Sequence, residues 1–579
     1  MSASRPNPER MDAGPGLSKE ALSDHLMRLF GISASAGGLS SGVRLNEAGD
    51  RVADYLYEQL SGTGVSRVYR QYFTADRWWP EEYGLALQAA GWAQPLNAFP
   101  LWYSADMPLR MLPLVDAGFG SPGELRGKDV RGKAVLLQMR RIFHFIPSFE
   151  KFDTLRKLAA RGAAAIIVMD ALLDTPGGML AISHRDVMRC GGRGIPNYSL
   201  PAFSIGRSDG QRLLRSLSKG SVEVQVHLRS SQNPVRACNV IAEIDGNGET
   251  EEVILVGGHY DSWFGGALDN LSSQGGIIEL ARHLASLPQA QRCRTVVLAC
   301  IFGHEFGNLG HWALAEELRG KAARITCFLD LDGSGSTGWE VDHQGNIIET
   351  GYNDVCGIVA SSNALAELAY RALYEQDIFS FRFFDHAHIA DLDGPLSELG
   401  IPTLLIISKH LFYHTPLDTP DRIPAEILWR RMTVAARIIS DLLSSQPGYF
   451  IATNSNPFRK VRGGLPPLPD LPESALPVNP NPWVDGPPQD LLFEVIPPNP
   501  RVGSPVIVWK GHSVGEGIGR IQDVSWSFGN LAERLVTKSR RGIASGTMYL
   551  WPGIKTIRMT VRDRHGRSSS VERKIGVTW

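Results

Sequence analysis

The stretch Glu252–Leu287, EVILVGGHYDSWFGGALDNLSSQGGIIELARHLASL, decides the fold. It opens on a short continuous apolar run, which is the pattern of a strand buried on both faces. A glycine-rich polar turn follows, and SQGGIIELARHLASL then reads as a helix. A buried strand, a tight turn and a helix form the repeating unit of an α/β sheet. In such sheets the polar residues at the carboxyl ends of the strands build the site.

The same texture recurs outward from this unit. RTVVLACIFGHE (294–305), TCFLDLDG (326–333) and IPTLLIIS (401–408) read as buried strands, and SSNALAELAYRALYEQ (361–376) as a helix between them. The expected fold class is α/β, a mixed sheet with helices on both faces. Upstream, residues 18–60 read as two helices around a loop. The second, LNEAGDRVADYLYEQL, places Ala48, Val52, Tyr55, Leu56 and Leu60 on one face, with Asn46 and the nearby Asp50 as its start signal.

With 579 residues the chain exceeds what one core usually covers. Four parts are expected: a catalytic domain made of 18–107 and 230–447, an insert over 108–229, a proline-rich linker over 448–487 and a β-sandwich over 488–579. The insert alternates short strands (KAVLLQM, AAAIIVM) with helical stretches (FDTLRKLAARGA, SDGQRLLRSLSKG). The final part alternates strand signals with turns (SPVIVWKGH, DVSWSFGN, GIKTIRMTVRDRHG).

Lys and Arg number 59 against 60 Asp and Glu, a net charge of −1. No single-sign field is available for nucleic acid or an anionic membrane, so neither is an expected partner. The six cysteines are scattered without a CxxC pair, as reduced buried thiols are. No apolar run reaches about 18 residues, the length of a membrane span. The polar amino terminus lacks a secretory core, so a cytoplasmic protein is expected.

Ligand-type residues gather at the strand ends: His259 and Asp261 in GGHYDS, Asp269 in GALDN, His304 and Glu305 in GHEFG, Asp332 in LDG, and His414 and Asp418 in YHTPLDT. A lone carboxylate there serves as a helix cap as readily as a ligand. Two imidazoles with three carboxylates suit a pair of zinc ions. HEFGNLGH is not an HExxH helix, because the position four after His304 is Asn308.

The motifs GGHYDSW, GALDN, HEFGNLG, LDLDG and FYHTPLDT, in this order, resemble the two-zinc aminopeptidase family that includes glutamate carboxypeptidase and glutaminyl cyclase relatives. The resemblance runs over about 18–80 and 237–446. It implies that His259 and Asp332 bind one zinc, Glu305 and His414 the other, and Asp269 bridges them. Asp261 would accept a hydrogen bond from the His259 imidazole, and Asp418 would organise the loop carrying His414. The implied activity is hydrolysis of an amide in a small peptide or amide-containing molecule through a metal-bridging water. Trp263, Phe264, Asp385 and His386 would line the substrate pocket. GELRGKDVRGKAVLLQ and the segments after it resemble the protease-associated domain inserted in such peptidases, and DVSWSFGN with GIKTIRMTVRDRHGRS resembles a PKD-like module. A homo-oligomer is compatible with both.

One position departs from the family. Where the family carries two adjacent glutamates, the first of them the general base, this chain has His304 before Glu305. Three readings stay open. His304 is the base; or the metals remain and the reaction is another, a lyase, an isomerase or a hydrolase of an unusual amide or ester; or the protein binds metal and ligand without turnover.

Overall fold

The computed structural model describes residues 16–35, 42–89, 92–174 with short gaps, 200–341, 346–349, 356–384 with short gaps, 394–452 except Lys409, and 493–578 with gaps. Helices α1 (Lys19–Ala34) and α2 (Glu47–Ser61) lead. Asn46 caps α2, its side chain accepting the Gly49 N–H, and Ala48, Val52, Leu56 and Leu60 are buried along the expected face. Strands β1 (Arg67–Ala89), β2 (Trp92–Pro95), β3 (Ala98–Pro100), β4 (Met107–Asp116) and β5 (Ala134–Met139) follow. After them come α3 (Glu150–Ala160), β6 (Ala165–Asp170), β7 (Ala202–Ile205), α4 (Arg207–Leu217) and β8 (Glu223–Ile244).

The predicted strand–turn–helix unit is present as β9 (Val253–His259) and α5 (Ser272–Ser286). Then come β10 (Thr295–Ile301), α6 (Leu309–Leu318), β11 (Ile325–Asp332), β12 (Cys356–Ala360) and α7 (Asn363–Glu375). The region closes with β13 (Phe381–Phe384), α8 (Gly394–Glu398), β14 (Thr403–Ile407) and α9 (Ala425–Ser444).

The strands run β13-β12-β14-β11-β9-β10-β8-β4-β5-β6-β7-β3, with β1 also on β8 and β2 on β1. Pairs β9–β10, β9–β11 and β11–β14 are parallel, whereas β8–β10 and β12–β14 are antiparallel. Alternation along each strand covers both faces. Ile254 and Val256 point into the large core shared with α5 and α9, while Leu255 points the other way, into a cluster with Leu314 of α6 and Leu396 of α8.

Strand pairing runs across both expected ends of the insert. Position 229/230 lies inside the unbroken strand β8, which pairs along nearly its whole length with β1. The insert's sheet also recruits β3, which lies before position 108 and pairs with β7. A separate core around these strands includes Leu101, Val135, Leu137, Leu158, Ile166 and Val168. Downstream, two sheets, of four strands and of three, share a core of Val508, Trp526, Ile557 and Met559. The segment expected as a proline-rich linker lies largely outside the described residues. The five described cysteines are free thiols, and no helix among the described residues is long and apolar enough to cross a membrane.

Candidate metal centre

The carboxyl ends of the parallel strands deliver the site. His259 is the last residue of β9, Asp332 the last of β11, and Glu305 lies in the turn after β10. Asp269 sits in the turn before α5, and His414 in the loop between β14 and α9. All five are 1–3% exposed.

Their atoms form two groups joined by one carboxylate. His259 Nε2 lies 3.3 Å from Asp332 Oδ1 and 3.3 Å from Asp269 Oδ1. His414 Nε2 lies 3.1 Å from Asp269 Oδ2 and 2.9 Å from Glu305 Oε1. Asp269 thus presents one oxygen to each imidazole. Two ligand atoms on a tetrahedral zinc with bonds of about 2.0–2.1 Å stand about 3.3 Å apart, so these separations fit ligands sharing a cation.

Electrostatics agree. Burial alone would lower the imidazole pKa values, but the neighbouring carboxylates overcome it. His259 is driven well above its ordinary value by Asp261, Asp269 and Asp332, and His414 is raised to about 9 by Glu305 and Asp269. The cluster carries an excess of negative charge that protons or metal cations relieve. The donor set, imidazole nitrogen and carboxylate oxygen, is one zinc accepts.

Supporting contacts differ from the sequence reading in two places. His259 Nδ1 is 2.9 Å from the backbone carbonyl of Asp261, while the Asp261 carboxylate is 3.6 Å away, beyond hydrogen-bond distance. That carboxylate instead accepts the backbone N–H groups of Gly303, His304 and Glu305 at 2.8, 3.1 and 2.8 Å. Asp261 therefore shapes the turn that carries Glu305, and its main chain orients the imidazole. The Asp418 carboxylate accepts the backbone N–H groups of Leu268 and Asp269, at 2.8 and 3.1 Å, so it holds the turn that carries Asp269.

His304 is 4% exposed, and its ring stacks on that of His259 with centroids 4.3 Å apart. One of its nitrogens lies within 4.8 Å of ligand atoms of His259 and Asp332. Residues 303–307 form a turn, and α6 begins only at Leu309, so no HExxH helix exists. Trp263 and Phe264, expected to line the pocket, are each 1% exposed and packed among aromatic rings. Asp385 and His386 lie outside the described residues.

Tyr413 was not singled out from the sequence. Its ring stacks on His414 at 3.7 Å. Burial, reinforced by Asp269, Glu305 and Asp332, pushes its phenol well above the ordinary value and keeps it a protonated donor. Its place immediately before a ligand-type histidine was the available signal.

Residues 239–439 match the family described as peptidase family M28. A probable leucine aminopeptidase 2 of Aspergillus oryzae is 28% identical over 293 residues, covering 49% of this chain and 53% of that protein. The chain thus spans about half the length of this curated relative. Among solved structures, a peptidase M28 precursor from Shewanella amazonensis aligns with a TM-score of 0.55 and 21% identity over 74% of this chain and 98% of its own. The Bacillus subtilis zinc aminopeptidase aligns with a TM-score of 0.54 and 20% identity over 72% and 95%. At these identities the structural matches speak for the fold, and the sequence match for the family. Over residues 239–439, about a third of its length, the chain thus carries a match to peptidase family M28.

Proposed function

We propose that the chain is a metal-dependent hydrolase of aminopeptidase type that cleaves an amide at the amino end of a small peptide or peptide-like molecule. His259 and Asp332 would hold one divalent cation, zinc first, and Glu305 and His414 a second, with Asp269 between. One observation carries this reading: the two oxygens of Asp269 face two different imidazoles, each paired with a further carboxylate. Bound there, such a pair supplies Lewis-acid charge and acidifies water near neutral pH.

The chain's own groups supply the rest. His304 would accept a proton at an imidazole nitrogen and return it to the leaving amine. Tyr413 would donate a hydrogen bond from the rim of the site. The insert, a protease-associated-type module in this reading, would face the substrate, and the carboxyl-terminal sheets would form a PKD-like module away from the chemistry.

The stacking of His304 on His259 favours a second reading, in which His304 joins His259 and Asp332 as a ligand. No free base then stands in that position, and the reaction is one other than peptide hydrolysis. Assays of metal-loaded protein with aminoacyl-anilides, for wild type and His304→Glu, test both. Turnover by wild type that a chelator abolishes supports the first. A silent wild type whose His304→Glu variant gains peptidase activity supports the second. If neither turns over with two metals bound, the aminopeptidase proposal fails.

A further inference from the structure

Behind the candidate ligands lies an aromatic cluster that the proposed chemistry does not use. Arg44 is 2% exposed, and its guanidinium lies 4.9 Å from the ring centre of Trp79, 5.4 Å from Trp102, 5.6 Å from Phe99 and 5.7 Å from Trp263. Burial lowers its pKa to about 9, which leaves it cationic at neutral pH. The segment carrying it docks beside Trp263 by a short backbone match. Ser262 N–H donates to the Val43 carbonyl at 2.8 Å, and Val43 N–H donates to Ser262 Oγ at 3.2 Å. Gly42, at φ +126°, allows this approach, since a Cβ there would meet the Ser262 carbonyl at 2.8 Å.

Trp263 is the member that reaches the site. Its indole N–H donates to Glu305 Oε2 at 2.8 Å, while Glu305 Oε1 faces His414 Nε2 at 2.9 Å. The ring is fixed edge-on against Trp102 at 5.0 Å and Phe306 at 5.4 Å, and Phe306 is the residue after Glu305. Backbone and side chain of Glu305 are therefore tied to one rigid cluster. A guanidinium over the indole draws on its electron density and strengthens the N–H as a donor.

We propose that Trp263 is a positioning residue for Glu305, its indole N–H occupying one carboxylate oxygen so that the other is held as a single-oxygen ligand beside His414. The proposal rests on the metal-site reading above. Outer partners of this kind hold a ligand's orientation, and their loss typically costs about 10–100-fold in metal affinity. Freed from the indole, Glu305 would rotate or engage through both oxygens, and the cation beside His414 would suffer most.

The test is zinc binding to metal-stripped full-length chain by chelator competition, with cobalt(II) spectra as a second readout. Trp263→Phe keeps an aromatic ring and deletes the donor. β-(Benzothien-3-yl)alanine at position 263 keeps the bicyclic volume and deletes only the donor, so it serves should the phenylalanine variant fold poorly. Trp429→Phe is the control, since it deletes an indole N–H donated to the Leu17 carbonyl at 3.1 Å in a different part of the core. The expected result is that both 263 variants bind one zinc as wild type does and the other about 10–100-fold more weakly, with altered cobalt bands. The control should keep both affinities. Wild-type affinities and spectra in both 263 variants would overturn the proposal. A wild type that binds no zinc would instead sink the metal-site reading itself.

Discussion

At the residue scale, Asp269 and His304 carry the chemistry proposed for the site. Asp269 stands between two imidazoles, so Asp269→Ala is expected to reduce bound metal from two ions to one or none, measured by mass spectrometry of dialysed protein. His304→Ala should leave metal content intact if the imidazole is the base, and lower kcat about 10²–10⁴-fold with a smaller change in KM. His304→Glu, in an active enzyme, should move the acidic limb of the pH–rate profile to lower pH, because a carboxyl group ordinarily titrates below an imidazole. The ligand-type residues were legible because His, Asp and Glu at strand ends carry their chemistry in their identity. Tyr413 and Arg44 were not, nor was the contact of the Trp263 indole with Glu305, since such side chains acquire these partners only from tertiary packing. The carboxylate of Asp261 was placed one step off: sequence shows that it is near His259, not that three amides of a distant turn claim its oxygens.

At the element scale the turn after β10 and the seam between α1 and α5 are the points of leverage. Asp261→Asn replaces an acceptor of three backbone N–H groups with a side chain that accepts through one oxygen. It should cost about 2 kcal/mol in urea unfolding and loosen Glu305. Glu279 of α5 accepts from Ser18 N–H at 3.3 Å, receives Arg282 through Nε at 3.1 Å and lies 3.6 Å from His25 Nε2. Burial opposes its charge, but these partners prevail and depress its pKa to about 2. A depressed folded-state pKa stabilises the fold above the ordinary carboxyl range, and that contribution is lost as pH falls from about 4.5 towards about 2. Glu279→Gln should therefore be less stable than wild type at pH 7, by on the order of 2 kcal/mol. The gap should narrow through that acid window in paired urea melts; a gap constant with pH would contradict it. The strand–turn–helix unit was readable from hydropathy alone, whereas the β1–β8 ribbon was not, because its strands of 23 and 22 residues are far apart in the chain and cross an expected boundary.

At the scale of the whole molecule, site and fold are coupled through charge. Several buried carboxylates converge at the ends of β9, β10 and β11, and a cation that binds only the folded state stabilises it by mass action, about 2.7 kcal/mol at a hundredfold excess over Kd. Stripping metal should lower the thermal midpoint by roughly 5 °C or more, and zinc should restore it. Zinc titration of stripped chain, read by calorimetry, decides whether Asp269 joins two cation sites. Two equivalents bound by wild type, falling to one or none in Asp269→Ala, is the predicted result; no stoichiometric binding, or two equivalents undiminished in Asp269→Ala, would contradict it.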